Sequence, residues 1–106
     1  MRNWNVNPKV MCRKHLLGEH VECHMFAGSI NKKRSIKGHI EKGQVEIHNI
    51  RSRHDKLAKE LERRGYNHNS KLIPFKTIKA GKINAKENYK ILAKRCKDCR
   101  GLQNKL

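Results

Sequence analysis

HLLGEHVECH, running from His15 to His24, is the stretch on which the reading of this chain turns. As a helix it places His15, Glu19 and Glu22 at i, i+4 and i+7, all on one face. Carboxylates are scarce around it. Nine acidic residues stand against 26 Lys and Arg, for a formal net charge of +17. An imidazole and two carboxylates on one stripe of so basic a chain point to acid–base chemistry on a polyanion. Spacing alone favours a plainer reading, a solvated helix face with a histidine cap.

Outward from this stretch, Asn7-Pro8 predicts a helix start, with Asn7 as cap and Pro8 in the first helical position. The apolar pattern runs through Val10, Leu17, Val21 and Phe26 to about Ala27, where Gly28 and Ser29 end it. Gly18 interrupts the helix at about 1 kcal/mol relative to Ala; such a glycine usually marks close approach of a backbone or a ligand. Residues 31–44, NKKRSIKGHIEKGQ, read as a basic loop without helical or strand period. A second helix is expected from Val45 to Arg64. Its seam is Ile47, Ile50, Leu57 and Leu61, with His54 read as a hydrogen-bonded core histidine. Gly65 is its natural C′ residue after the basic turn Arg63-Arg64. Residues 66–83 form a long connection broken by Pro74. Asn84-Ala85-Lys86-Glu87 has capping-box spacing and predicts a third helix, with Ala85, Tyr89, Leu92 and Cys96 on one face. The expectation is an all-α single domain over residues 1–106. It has about three helices and long basic loops, ending in a helix and CxxC tail over 84–106.

Composition agrees with a thin core. Only 36% of the 106 residues are hydrophobic, and mean hydropathy is −0.93. A chain this long buries roughly two-thirds of its unfolded surface, and its charge repels itself, so stability is expected to be marginal. A pI near 10.2 is the electrostatic footprint of a nucleic-acid binder. The cations expected on DNA phosphates are Lys32, Lys33, Arg34 and Lys37 in the loop, and Arg51, Arg53 and Lys56 on the second helix. Trp4 is either core or a base-stacking platform. No apolar run reaches membrane-spanning length and no signal peptide is evident, so a cytoplasmic protein without membrane contact is expected.

Cys96-x-x-Cys99 is one half of a zinc site. Cys12 and Cys23 lie eleven residues apart on one helix and do not fit together into one tetrahedron, so His24, His15 or His68 would have to complete it. Reduced, unliganded thiols are the expectation. No phosphate loop, dinucleotide fingerprint or serine elbow is present. The scattered acidic residues also argue against a two-metal nuclease.

Three segments carry a further signal: Met-Arg-Asn-Trp at the start, CRKHLLGEHVECH from Cys12 to His24, and IRSRHDKLAKELERRGYNHNSKL from Ile50 to Leu72. Their order and spacing resemble the pyrimidine-dimer DNA glycosylases, the phage endonuclease V type of ultraviolet-repair enzyme and its prokaryotic relatives. The resemblance covers the first two-thirds of the chain. The KRCKDC ending is closer to the smaller prokaryotic members than to the phage enzyme.

The resemblance implies a compact helical domain, acting as a monomer on double-stranded DNA that carries ultraviolet lesions or abasic sites. It makes the N-terminal α-amine the nucleophile, here that of Met1, which the bulky Arg2 is expected to keep in place. The family's catalytic glutamate matches Glu22, its N-terminal arginine Arg2, and its helix histidine His15. Glu19 is then a partner that orients His15 or a basic side chain. Val21 and Met25 stand where the phage enzyme has arginines that help grip the lesion strand.

The chemistry fits these residue types. At neutral pH about a tenth of an ordinary α-amine is unprotonated, against less than about a thousandth of a lysine. Attack on the sugar C1′ expels the base and leaves an imine. Glu22 then assists loss of the C2′ proton, giving β-elimination and strand scission. No metal or cofactor is required. Two rival readings stand beside this one: a non-catalytic basic nucleic-acid-binding protein, and a binding module stapled by zinc through the CxxC.

Overall fold

Residues 13–31 carry the longest helix, and everything else is arranged around it. The computed structural model describes residues 1–67 and 70–105. Among these, five α-helices and two short 3-10 turns make up the regular structure, with no strand. The all-helical expectation holds, while three helices was an approximation.

The first element is not a continuous helix from Pro8. Asn7 does cap it, its side chain accepting from the Lys9 amide at 3.0 Å. However, Pro8–Val10 is only a 3-10 turn. Val10 and Met11 are fully buried, and Met11 turns extended (φ −104°, ψ 136°). α1 (Arg13–Asn31) begins beyond Cys12. It runs past Gly28 and Ser29, because neither residue closes the helix. It ends instead at Lys33, whose φ of 59° is left-handed. The Lys33 amide bonds to the Ile30 carbonyl and the Arg34 amide to the Ser29 carbonyl, a Schellman closure with lysine where glycine is usual.

The buried face of α1 is Leu16, Glu19, His20, Cys23, Phe26 and Ala27. Leu17 and Val21, expected on the core seam, are exposed, as is Met25. The 31–44 segment is also more ordered than its composition implied. It contains α2 (Lys37–Glu41), and Ile36 is buried in the core.

α3 (Ile50–Arg63) starts later than Val45, after a 3-10 turn at Ile47–Asn49. Val45 and Ile47 are buried in the non-helical lead-in, where the Ile47 amide bonds to the Ala80 carbonyl at 2.9 Å. The expected seam of Ile47, Ile50, Leu57 and Leu61 is buried. Gly65 takes the C′ position with φ 91°. The 66–84 connection has no regular structure among its described residues. At Gly81 (φ 92°) a Cβ would collide with the Val45 carbonyl oxygen, so glycine is required there.

α4 (Ala85–Arg95) starts as expected, with the Asn84 side chain accepting from the Glu87 amide at 3.0 Å. Cys96 then turns extended and α5 (Lys97–Asn104) follows. The inward residues of α4 are Asn88 and Leu92, while Ala85 and Tyr89 are exposed. Packing is principally α1 on α3, with the α4–α5 pair laid against the first 3-10 turn. The molecule measures 40 × 30 × 17 Å; its thinnest dimension is under two helix diameters, which matches the small apolar share. No helix is long and apolar enough to cross a membrane among the described residues.

Candidate active site

The first six residues have no helix of their own, so their backbone must find partners elsewhere. The Asn3 amide bonds to the Gln44 carbonyl at 2.6 Å. The Trp4 carbonyl accepts from Asn88 Nδ2 at 2.9 Å, and the Val6 carbonyl from Arg53 Nη1 at 2.7 Å. Trp4 is 6% exposed, which makes it core. These anchors lay the N-terminus across the middle of α1.

There a cleft of about 240 Å³ is lined by Arg2, Trp4, Lys14, His15, Gly18, Glu19 and Glu22. Arg2, His15, Glu19 and Glu22, picked out from the sequence, thus share one cavity. No other residue lies where a Cβ on Gly18 would sit, so this glycine leaves the cleft open and admits no neighbouring backbone. Arg2 is stacked over the Trp4 ring at 4.1 Å, and its Nη2 donates to Asn88 Oδ1 at 2.9 Å.

The two glutamates differ sharply. Glu19 is 1% exposed and forms a two-pronged pair with Arg53, Nε to Oε2 at 2.6 Å and Nη2 to Oε1 at 2.8 Å. Its partner is therefore a basic side chain, not His15. Arg53 is turned into the protein. It is 5% exposed, and its remaining hydrogen bonds go to the Val6 carbonyl and Met11 Sδ. Four of its five N–H donors are thus spent inside the protein, a different environment from the exposed phosphate contact expected of it.

Glu22, by contrast, is half-buried and without a side-chain ion pair among the described residues. Burial pushes its carboxyl above the ordinary glutamate value. The backbone amide of Arg2 and the charge of the Met1 α-amino group pull it partly back, and the nearby Glu19 pushes it up again. The N-terminus and Glu22 are therefore electrostatic neighbours. Burial, aided by Lys14, holds His15 below the usual imidazole range. Its ring meets Trp4 edge-on at 6.0 Å.

Residues 1–74 match the family described as pyrimidine dimer DNA glycosylase. The chain belongs to this family. No curated protein and no solved structure matches it. Family membership implies DNA as the substrate, and the exposed cations suit a phosphate surface: Lys32, Lys33, Arg34, Lys37, Arg51 and Lys56 all reach solvent. In this glycosylase-family chain the matched part holds the whole cleft wall, while Asn88, which secures both Arg2 and Trp4, lies beyond it.

Sequence reasoning missed Asn88. The available signal was a polar residue one turn before Leu92 on the inward face of α4. It also missed how the thiols gather. Cys12, His15, Cys96 and Cys99 present their ligand atoms within 4.8 Å of one another, whereas Cys23 sits apart beside Asn3. A second cluster joins His20, His24 and His54, with ring centroids 4.8–4.9 Å apart and Asp55 Oδ1 at 3.0 Å from His54 Nδ1. His54 is thus the buried, hydrogen-bonded histidine expected. His68 lies outside the described residues.

Proposed function

We propose that the protein is a bifunctional DNA glycosylase and abasic-site lyase acting on pyrimidine dimers, with the Met1 α-amine as nucleophile and Glu22 as the catalytic carboxylate. The observation that carries this reading is the cleft shared by Arg2, His15, Glu19 and Glu22, with the N-terminal charge felt at Glu22. The neutral amine attacks C1′ and the damaged base leaves with the bonding electron pair. The ammonium formed by the attack loses one proton, and the sugar ring then opens with protonation of its ring oxygen, leaving a protonated, cationic imine. Glu22 stabilises that cation and promotes removal of the C2′ proton, and the 3′ phosphate departs by β-elimination. Arg2, fixed on Trp4, keeps positive charge beside Glu22. Extrusion of a base is cheapest at a damaged pair, and the exposed lysines and arginines supply salt-sensitive binding.

Borohydride trapping on duplex DNA containing a cyclobutane dimer or an abasic site tests the reading, with the crosslinked peptide mapped by mass spectrometry. An adduct at the Met1 amine on dimer DNA is the expected result. An adduct with abasic DNA alone removes the dimer as substrate. Folded protein that gives no adduct with either is a binding protein rather than an enzyme.

A further inference from the structure

Four soft ligand atoms converge where α5 meets the start of α1. Cys12 Sγ lies 3.7 Å from Cys96 Sγ and 3.2 Å from His15 Nδ1, and Cys99 Sγ lies 3.5 Å from His15 Nδ1. A tetrahedral zinc ion with Zn–S of about 2.3 Å and Zn–N of about 2.05 Å has ligand–ligand edges of about 3.8 Å for S–S and about 3.6 Å for S–N. The observed edges therefore fall close to those of an ion's coordination sphere. A disulfide needs sulfurs at about 2.05 Å, and all four cysteines are free.

The surroundings also suit a metal. The Cys12 amide donates to Cys99 Sγ at 3.2 Å, and the Cys99 amide to Cys96 Sγ at 3.4 Å. Backbone amides on the sulfurs fix and stabilise thiolate ligands. Cys96 caps α5, where a helix N-terminus favours the thiolate. Three thiolates and one dication leave one net negative charge, and Arg13, Arg64, Lys97 and Lys105 line the adjoining cleft with Cys12.

We propose that Cys12, His15, Cys96 and Cys99 bind one zinc ion as a closed Cys3His site that staples the C-terminal helices to α1 beside the catalytic cleft. Four protein ligands leave no open position, so the role is structural. Binding displaces the three thiol protons to solvent. The ligands come from both sides of the boundary at residue 74, where the family match ends. His15 consequently serves as a ligand whose ring also forms the cleft wall against Trp4.

The test is cobalt(II) titration of the full-length, reduced protein, together with alkylation of its thiols with and without a chelator. The expected result is about one cobalt per chain, with the thiolate charge-transfer and strong visible bands of a tetrahedral site. These bands are lost in Cys96→Ser and Cys12→Ser and kept in Cys23→Ala. In the wild-type protein, zinc should protect Cys12, Cys96 and Cys99 from alkylation until the chelator removes it, which keeps the test independent of whether a variant folds. Folded wild-type protein without charge-transfer bands overturns the proposal, as does alkylation of Cys96 that ignores zinc. Binding that survives Cys96→Ser but is lost in His24→Asn also overturns it, placing the metal at His20, His24 and His54 instead.

Discussion

The part of the chain up to residue 74 and the part beyond it divide the work differently. The first holds every residue lining the cleft. The second contributes no lining residue, yet Asn88 secures Arg2 and the Trp4 carbonyl, and Cys99 meets both Cys12 and His15. A cleft can thus sit in a short, charged, thinly cored segment provided that another segment props it. Within α1 the same contrast recurs over three residues. Glu19 is spent on a strut, whereas Glu22 is left to titrate.

The strongest test of that contrast is Glu22→Gln. Strand scission should fall by about 10²–10⁴-fold while DNA affinity is retained. The folded carboxyl sits above its unfolded value of 4.5, chiefly through burial. Its charge therefore costs stability at neutral pH, and that stability returns as pH falls through the folded value. The variant should melt no lower than wild type, and the acid limb of wild-type scission should lie above the free-glutamate range. A lower melting temperature would make Glu22 a second strut.

Glu19→Gln should do the opposite. It leaves Arg53 charged and buried, and urea unfolding should show a loss of about 3–5 kcal/mol, a large share of a small domain's stability. Replacing both partners, Glu19→Leu with Arg53→Met, should recover most of that loss. Normal stability in Glu19→Gln with scission abolished would move Glu19 into the chemistry.

Asn88→Ala probes the prop from the far side of the boundary. Unpairing Arg2 and the buried Trp4 carbonyl should lower stability by about 1–3 kcal/mol. Scission should fall in kcat with binding to dimer DNA unchanged, measured in single turnovers and by gel shift. Unchanged kcat would confine Asn88 to stability. The smallest effect is expected at Lys33→Gly. Relieving the left-handed backbone should add about 1 kcal/mol, while the slope of log affinity against log salt drops by about one. An unchanged slope would remove Lys33 from the DNA face.

Much of the site was legible because it lies within one helix. The i, i+4, i+7 spacing of His15, Glu19 and Glu22 follows from helical geometry, and Asn84 and Gly65 act through a few neighbouring backbone atoms. Other local signals were overruled. Asn7 and Pro8 start a turn that burial of Val10 and Met11 then breaks. Leu17 and Val21 carry an apolar period, but the α1–α3 packing turns Glu19 and His20 inward instead. Arg53 looked like a phosphate contact among its cationic neighbours because nothing local distinguishes a guanidinium that will be buried.

By itself the sequence determined the helical class, the cationic surface, the family and the face of α1 that carries the carboxylates. The family rests on the order and spacing of segments along the chain, and each of the others on composition or on residues within two helical turns. Only the tertiary structure decided which glutamate is consumed by an ion pair, that the N-terminus crosses α1 at Glu22, and that Cys12 and His15 meet Cys96 and Cys99. Those outcomes depend on contacts between residues 20 to 87 positions apart. Such contacts are set by how the helices pack, which no local pattern encodes.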